Sequence, residues 1–392
     1  DQQQFDAAGR LVQKIENYVE SGGSSDENRT TLTTYTPDGA VATLTAVNAA
    51  TGDQVTTYVY GTTLDDSEIA RSDLLQAVIY PDSVSGSDQV TYSYNRQGQV
   101  IQTIDQNGTT HAYLFDLLGR PTDDCVKFLG TGIDGSVCRI STTYEIRGLV
   151  AGVASYDNAT PGQGNVVNDV EYQYNQFQQL IVEYQSHSGA VNTWTSPKVG
   201  YNYLSGGGNS IRPTGIIYPN GRTLTYSYGT SGGDSDQLSR IEAIIDSDGT
   251  MLVQYTYLGL GTFVQADYPQ PQVRYDLITG AGADPYAGLD QFGRVIDCLW
   301  YNYNTSTDVV RVQYGYDQAG NRIWRADPVA ASQSPPVYQD ELYTYDGLYQ
   351  LTSLNRGQLN SDQTAINSGT LAFAEAWEID PTGNWARYQQ DD

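Results

Sequence analysis

Side chains suited to nucleophilic, acid–base or metal chemistry are scarce in this sequence, with two histidines and three cysteines in 392 residues. General acid–base work needs a nucleophile or a metal within hydrogen-bond reach of the imidazole. His111 stands beside the predicted strand 112–115, and His187 lies in the polar turn Ser186-His187-Ser188-Gly189. They fall in unrelated stretches, so both read as structural or solvent-facing. Cys125, Cys138 and Cys298 lack the close pairing of a zinc or iron–sulfur site. Cys125 and Cys138 flank the hairpin-like loop Leu129-Gly130-Thr131-Gly132-Ile133-Asp134-Gly135, whose strands can set them opposite one another. A disulfide between them is one outcome, and two free buried thiols the other.

The acidic residues are no more promising. Asp246-Ser247-Asp248-Gly249 has the look of the start of a calcium loop, but Thr250-Met251-Leu252-Val253 returns at once to strand, so a plain β-turn is expected. Asp65/Asp66 and Asp123/Asp124 are adjacent, which on a strand sends them to opposite faces. The sequence has no Gly-x-Ser-x-Gly elbow, no phosphate-binding Gly-Lys-Ser/Thr loop and no His-Glu-x-x-His helix. No catalytic residue, cofactor or metal ligand is assigned, and an enzyme is not expected.

What does recur is a pair of tyrosines two residues apart: Tyr58/Tyr60, Tyr92/Tyr94, Tyr172/Tyr174, Tyr201/Tyr203, Tyr226/Tyr228, Tyr255/Tyr257, Tyr301/Tyr303, Tyr314/Tyr316 and Tyr343/Tyr345, with Tyr113/Phe115 as a variant. Side chains alternate along a strand, so each pair lays two rings on one face. Several pairs run straight into a turn, as in Tyr92-Ser93-Tyr94-Asn95-Arg96-Gln97-Gly98, Phe115-Asp116-Leu117-Leu118-Gly119-Arg120 and Tyr314-Gly315-Tyr316-Asp317-Gln318-Ala319-Gly320. Asp or Asn after the aromatic accepts from backbone two residues on, and Gly three residues later supplies the positive φ a short hairpin needs. Degenerate copies keep the frame. Tyr144-Glu145-Ile146-Arg147-Gly148 lacks the Asp, Tyr174-Asn175-Gln176-Phe177-Gln178 lacks the Gly, and Tyr345-Asp346-Gly347-Leu348-Tyr349 moves it.

Such units predict an all-β chain of repeated antiparallel hairpins, spanning 1–392 with no separate domain. Further turns are expected at Asp105-Gln106-Asn107-Gly108, Tyr218-Pro219-Asn220-Gly221 and Asp246–Gly249, with longer loops at 21–25, 205–210 and 231–235. Only residues 66–71, with Asp66 as N-cap, suggest a helical turn.

Composition agrees with this architecture. Tyrosine, at 32 residues, far exceeds phenylalanine at 7 and methionine at 1, as suits a sheet face that is packed but not oily. The net charge of −26 repels phosphate backbones and anionic lipid, so neither nucleic acid nor membrane insertion is expected. No run of about 18 apolar residues appears.

The pattern Tyr-x-Tyr-Asp-x-x-Gly-Arg/Asn-Leu/Ile/Val resembles the YD-repeat, or RHS, family of bacterial surface and secreted proteins related to the teneurins. The resemblance covers nearly the whole chain. It implies a long β-sheet that spirals into a hollow shell, enclosing a toxic C-terminal domain in some members and displaying adhesive surfaces in others. The family's self-cleaving end module has no match here: Asp284-Pro285-Tyr286 and Asp380-Pro381-Thr382 read as ordinary turns. The expected role is a noncatalytic segment of a secreted or cell-surface shell or fibre wall. The alternatives are a glycan-binding adhesive surface of exposed aromatics, or a shell around a toxin not present in this sequence. Repeat cores stand close to both ends, Phe5-Asp6-Ala7-Ala8-Gly9-Arg10-Leu11 and Ile379-Asp380-Pro381-Thr382-Gly383-Asn384-Trp385. The expected partners are therefore flanking repeats of a longer chain, or identical copies head to tail.

Overall fold

The turn after each aromatic pair sets the architecture, and Asp116 shows how. Its N–H donates to the Arg120 carbonyl at 2.9 Å, while the Gly119 N–H donates to the Asp116 carbonyl at 2.9 Å. Its Oδ1 accepts from the N–H groups of Leu118 and Arg120 at 2.9 and 3.0 Å. Gly119 takes a φ of 78°, the left-handed conformation that a side chain disfavours. The ladder slips by one residue immediately afterwards, between Pro121 and Asp123. This is a tight turn closed by a left-handed residue and a bulge. The same construction appears at Asp6, Asn95, Glu145, Asp290, Asp317 and Asp380. Where the sequence lacks the glycine, the geometry persists: Gln178 and Tyr349 adopt φ of 65° and 63°.

The protein is described by a computed structural model for residues 1–21, 26–84, 86–206, 211–278 and 288–391. Most of the loops expected at 21–25 and 205–210, and the turn expected at Asp284-Pro285-Tyr286, lie outside the described residues. The chain is all-β, an antiparallel sheet of 28 strands that does not close into a barrel. It divides into two compact units, residues 1–20, 28–201 and 218–220 in one and 21–27, 202–217 and 221–392 in the other.

The first unit runs β1 Gln2–Phe5, β2 Leu11–Glu16, β3 Arg29–Tyr35, β4 Val41–Ala46, β5 Gln54–Thr62, β6 Arg71–Ile79, β7 Gln89–Tyr94, β8 Val100–Ile104, β9 Thr110–Phe115, β10 Pro121–Phe128, β11 Arg139–Tyr144, β12 Val150–Tyr156, β13 Val166–Tyr174, β14 Leu180–Ser186 and most of β15 Lys198–Tyr203. Each strand pairs with the next, as β7 with β8 and β8 with β9. Turns from odd to even strands therefore share one edge, and that edge carries the tight turns at 6–9, 36–39, 95–98, 116–119, 145–148 and 175–178. Its buried side chains include Ala77, Tyr94, Cys125 and Tyr184.

The second unit runs β16 Pro213–Ile217, β17 Thr223–Ser227, β18 Ala243–Asp246, β19 Met251–Leu258, β20 Thr262–Tyr268, β21 Val273–Asp276, β22 Asp297–Asn302, β23 Thr307–Tyr316, β24 Arg322–Ala326, β25 Asp340–Tyr345, β26 Leu351–Gly357, β27 Phe373–Ile379 and β28 Trp385–Asp391. Val253, Val264, Ala266 and Val312 are buried there. A file of rings crosses its strands, Tyr255 to Phe263, Phe263 to Tyr275 and Tyr275 to Trp300, with centroids 5.8, 6.0 and 5.4 Å apart. Tyrosine, phenylalanine and tryptophan thus extend the aliphatic core.

One expectation is corrected. Residues 66–71 are not helical. Asp66 Oδ1 accepts backwards from the Thr63 N–H at 3.0 Å, closing a turn in which the Ser67 N–H reaches the Thr63 carbonyl at 3.0 Å. Among the described residues the helical turns lie instead at α1 Asp234–Gln237, overlapping the end of the loop expected at 231–235, and α2 Pro328–Ala331, capped by Asp327 through the Ala330 N–H at 3.0 Å. Cys125 and Cys138 are both free thiols. Arg139 is the residue opposite Cys125, while the Cys138 carbonyl accepts from the Val126 N–H at 2.8 Å. The connecting loop sets the register one residue away from bridging, and alternation puts the two sulfurs on opposite faces.

Candidate functional site

In many of the hairpins the tyrosine before the turn reaches sideways to the preceding hairpin. Tyr94 donates its hydroxyl to the Leu75 carbonyl at 2.6 Å, Tyr144 to Pro121 at 2.8 Å and Tyr174 to Val150 at 2.9 Å. Tyr35 does the same to Leu11, Tyr228 to Pro213, Tyr316 to Val295 and Tyr345 to Arg322, at 2.7 to 2.9 Å. In the regular repeats the acceptor stands two residues after the left-handed glycine, as Leu11 follows Gly9 and Pro121 follows Gly119. The bulge exposes that carbonyl beside the next strand pair, so the turn chemistry creates the acceptor.

Arginine closes the arrangement. The residue before the acceptor is Arg10, Arg120, Arg212, Arg240 or Arg294 in five of these seams, counting Tyr257 on Ile241. Arg120 donates from Nε to Asp116 Oδ2 at 2.7 Å and lies over the Tyr144 ring, 4.2 Å from its centroid. Arg10 does so with Asp6 and Tyr35, and Arg294 with Asp290 and Tyr316, each at 4.6 Å from the ring. Each guanidinium thus joins the carboxylate of its own turn to the tyrosine of the next repeat. An exposed ion pair contributes little alone, but the ring contact adds about 0.5 to 1 kcal/mol.

Electrostatics follow this packing. The Arg120 N–H holds the Asp116 carboxyl below its ordinary range, aided by the Arg120 side chain, and Arg10 does the same to Asp6. Arg222 and the Ser247 N–H bring Asp246 down to about 2. Burial raises the Tyr94 and Tyr228 hydroxyls and pushes Tyr275 up to about 12.

The sequence-derived candidates for chemistry are dispersed. His111 Nδ1 meets Asp124 Oδ1 at 2.7 Å, but the opposing Thr103 hydroxyl is bonded to the Tyr113 hydroxyl at 3.1 Å, so no nucleophile completes the pair. Asp123 faces Ser141 instead, accepting from its hydroxyl at 2.5 Å. His187 is exposed. Burial raises the Cys125 and Cys298 thiols, which disfavours the reactive thiolate. Asp246 is taken by Arg222 at 2.7 Å. Among the described residues no group of three or more His, Cys, Asp or Glu side chains could hold a metal. The arrangement holds hairpin to hairpin.

No family model matches the sequence, and no curated protein does. Solved structures share the fold. The chain aligns over 99% of its length with a chain of the Photorhabdus luminescens Tc holotoxin pore, at 14% identity and a TM-score of 0.56. It aligns over the same share with TcdB2-TccC3-TEV, at 15% identity and 0.55, and with TcdB2-TccC3, at 14% and 0.54. It spans about a fifth of the length of those chains, 21 to 22%.

Of the repeat residues picked out by sequence, Tyr94, Tyr316 and Tyr345 donate in the seam, and Asp116 and Arg120 form its clasp. Tyr92 and Tyr314 occupy the same faces half-buried. Tyr343 donates to the Glu341 carboxylate, and burial together with that charge raises its hydroxyl. Phe115 has no hydroxyl to give; at that seam Gln99 Nε2 bridges to the Gly119 carbonyl at 2.8 Å. Gly98 and Gly320 close their turns at φ of 79° and 95°, whereas at Asp346 the left-handed residue is Tyr349. Sequence reasoning missed the arginine's second partner. The signal was there, in Arg before an apolar residue with Tyr about 20 positions later, but it needs the strand order to be read. It also missed Arg139, 2% exposed in its side chain, which lies 3.9 Å from the Tyr156 ring centroid and donates to the Asn158 and Gln163 carbonyls.

Proposed function

We propose that this chain is a noncatalytic wall segment of a large secreted or cell-surface protein of the YD-repeat type, its hairpins spiralling into a shell. The observation that carries this reading is the recurring seam, in which a turn creates the acceptor, and often the cation, for the next repeat's tyrosine. Such a device extends a sheet from repeat to repeat. The likeness to Tc toxin chains over the whole length supports the shell form and suggests a cargo, a toxic domain carried elsewhere in the same protein.

Cryo-electron microscopy of the full product of the parent gene tests the reading. The expected result is residues 1–392 as part of a wall continuous with flanking repeats around an internal space, with anything enclosed resistant to protease until the wall is unfolded. A compact monomer whose terminal strands are covered by its own loops would overturn it.

A second reading has one observation in its favour. On the last hairpin Trp385 and Tyr388 stack at 5.7 Å and are 67% and 43% exposed, a platform of the sort that packs against sugar rings. Binding on a glycan array that is lost in Trp385→Ala would favour an adhesive surface.

A further inference from the structure

In the first unit, the edge that carries the tight turns departs from the repeat between β5 and β6, which are joined by the longer excursion 63–70. This excursion is fastened to the neighbouring hairpin: the Glu68 N–H donates to the Tyr94 carbonyl at 2.7 Å, and the Tyr94 N–H donates to Ser67 Oγ at 3.0 Å. It is also fastened to its own hairpin, where Gln76 Nε2 donates to Asp66 Oδ2 at 2.9 Å. Held in this way it walls a cleft of about 490 Å³ over β5 to β8, within the size range of small-ligand sites. The floor is a row across the strands, with Val59 opposite Ala77, Ala77 opposite Thr91 and Thr91 opposite Ile104. Ser93 is opposite Gln102 and, like Gln89, shares the face of Thr91 by alternation. The amides of Gln89 and Gln102 and the hydroxyls of Thr91 and Ser93 are half-buried, and among the described residues none of these four side chains has a hydrogen-bond partner. Asp65 stands exposed on the rim, and no described lysine or arginine lines the cleft.

Such a lining disfavours an anion, which would meet Asp65 and Asp66 with no cation to offset them. Amides and hydroxyls both donate and accept. Gathered without partners over an apolar floor, they match a ligand whose own hydroxyls donate and accept and whose ring C–H face is apolar. We propose that this cleft binds a neutral mono- or disaccharide unit. The Gln89 and Gln102 amides and the Thr91 and Ser93 hydroxyls hold its hydroxyl groups, Val59, Ala77 and Ile104 take its C–H face, and Asp65 accepts from hydroxyls at the rim. Asp66 and Ser67 are positioning residues: their bonds to Gln76 and Tyr94 set the wall before the ligand arrives, which lowers the ordering cost of binding. The cleft goes beyond the wall reading by giving one hairpin a ligand. Its residues are separate from Trp385 and Tyr388, so it stands or falls apart from that platform.

Saturation-transfer NMR of the intact chain tests it, with the methyl glycosides of glucose, galactose and mannose, together with lactose and maltose, as probes and with glucuronate and glucosamine as charged controls. Transfer to at least one neutral sugar is expected, and none to glucuronate. Gln102→Ala is expected to weaken that binding about three- to ten-fold, the worth of one or two hydrogen bonds, and Asp65→Asn to weaken it in the same direction. Neither side chain is hydrogen-bonded within the fold, so the circular dichroism of both variants should match wild type, and Trp385→Ala should bind as wild type does. Should Gln102→Ala lose the sheet signal, Asp65→Asn at the exposed rim decides alone. Absence of transfer to every neutral sugar, equal transfer to glucuronate, binding of glucosamine alone, binding undiminished in Asp65→Asn or in a folded Gln102→Ala, or loss confined to Trp385→Ala would overturn the proposal. Any of these results leaves the wall reading standing, since that reading is judged by the course of the sheet and not by a ligand.

Discussion

The tyrosine hydroxyl is the unit from which the rest of the molecule follows. A half-buried carbonyl that loses its donor costs more than the bond itself contributed, because water reaches it poorly. Tyr94→Phe removes the bond to Leu75 from a residue only 7% exposed. It is expected to lower the local opening free energy by about 1 to 2 kcal/mol, read by native-state hydrogen exchange around residue 75. The same burial sets an alkaline limit. Tyr275 ionises at about 12 in the fold against 10 when free, so the folded state keeps its proton longer than the unfolded one. That contribution is complete below pH 10 and is lost as pH rises towards 12. Tyr94, Tyr228 and Tyr343, all raised, add in the same direction. The last part of the tyrosinate absorbance should therefore appear only as the β-sheet signal in circular dichroism is lost.

At the level of the hairpin, the backbone conformation at one position outweighs the identity of its neighbours. Gly119→Ala places a side chain at φ 78° and brings its Cβ within 3.3 Å of Gln99 Nε2, so a loss of about 1 to 2 kcal/mol is expected. Gln178→Gly, at φ 65°, should raise stability by up to about 1 kcal/mol. Opposite shifts of the unfolding midpoint in urea are the check, and shifts of the same sign would count against the turn as the controlling element. These turns were legible in the sequence because all their bonds fall within five residues. Asp66 was misread for the same reason: its capping chemistry is genuine but points backwards to Thr63, which a forward scan takes for a helix start. The facing of Cys125 and Cys138 was left open by the sequence because alternation predicts faces only once the register is known, and the loop before Cys138 sets that register. The arginine lying on the following tyrosine was invisible because its partner stands a whole repeat away.

For the molecule as a whole, charge and turn chemistry act at one pH. The net charge of −26 at neutrality vanishes near pH 4.1. The carboxylates of Asp6, Asp116 and Asp246 are held below their ordinary values, so the fold binds those protons less readily than the unfolded chain. Their contribution is complete above about pH 4 and declines as pH falls through the depressed values. Light scattering should therefore rise sharply near pH 4, where repulsion between molecules disappears, before circular dichroism reports unfolding at lower pH. A separate consequence lies in the order of the strands. Each is held to its sequence neighbours, across ladders that run at right angles to the line joining successive hairpins. A pull on one end loads the ladder bonds one at a time and does not shear them together. The chain would then pay out as a series of short tugs, each releasing one hairpin of about 25 residues, or roughly 80 Å of slack. A sheet joined in this way can be drawn out as thread from its end, which single-molecule stretching would record as an evenly spaced sawtooth.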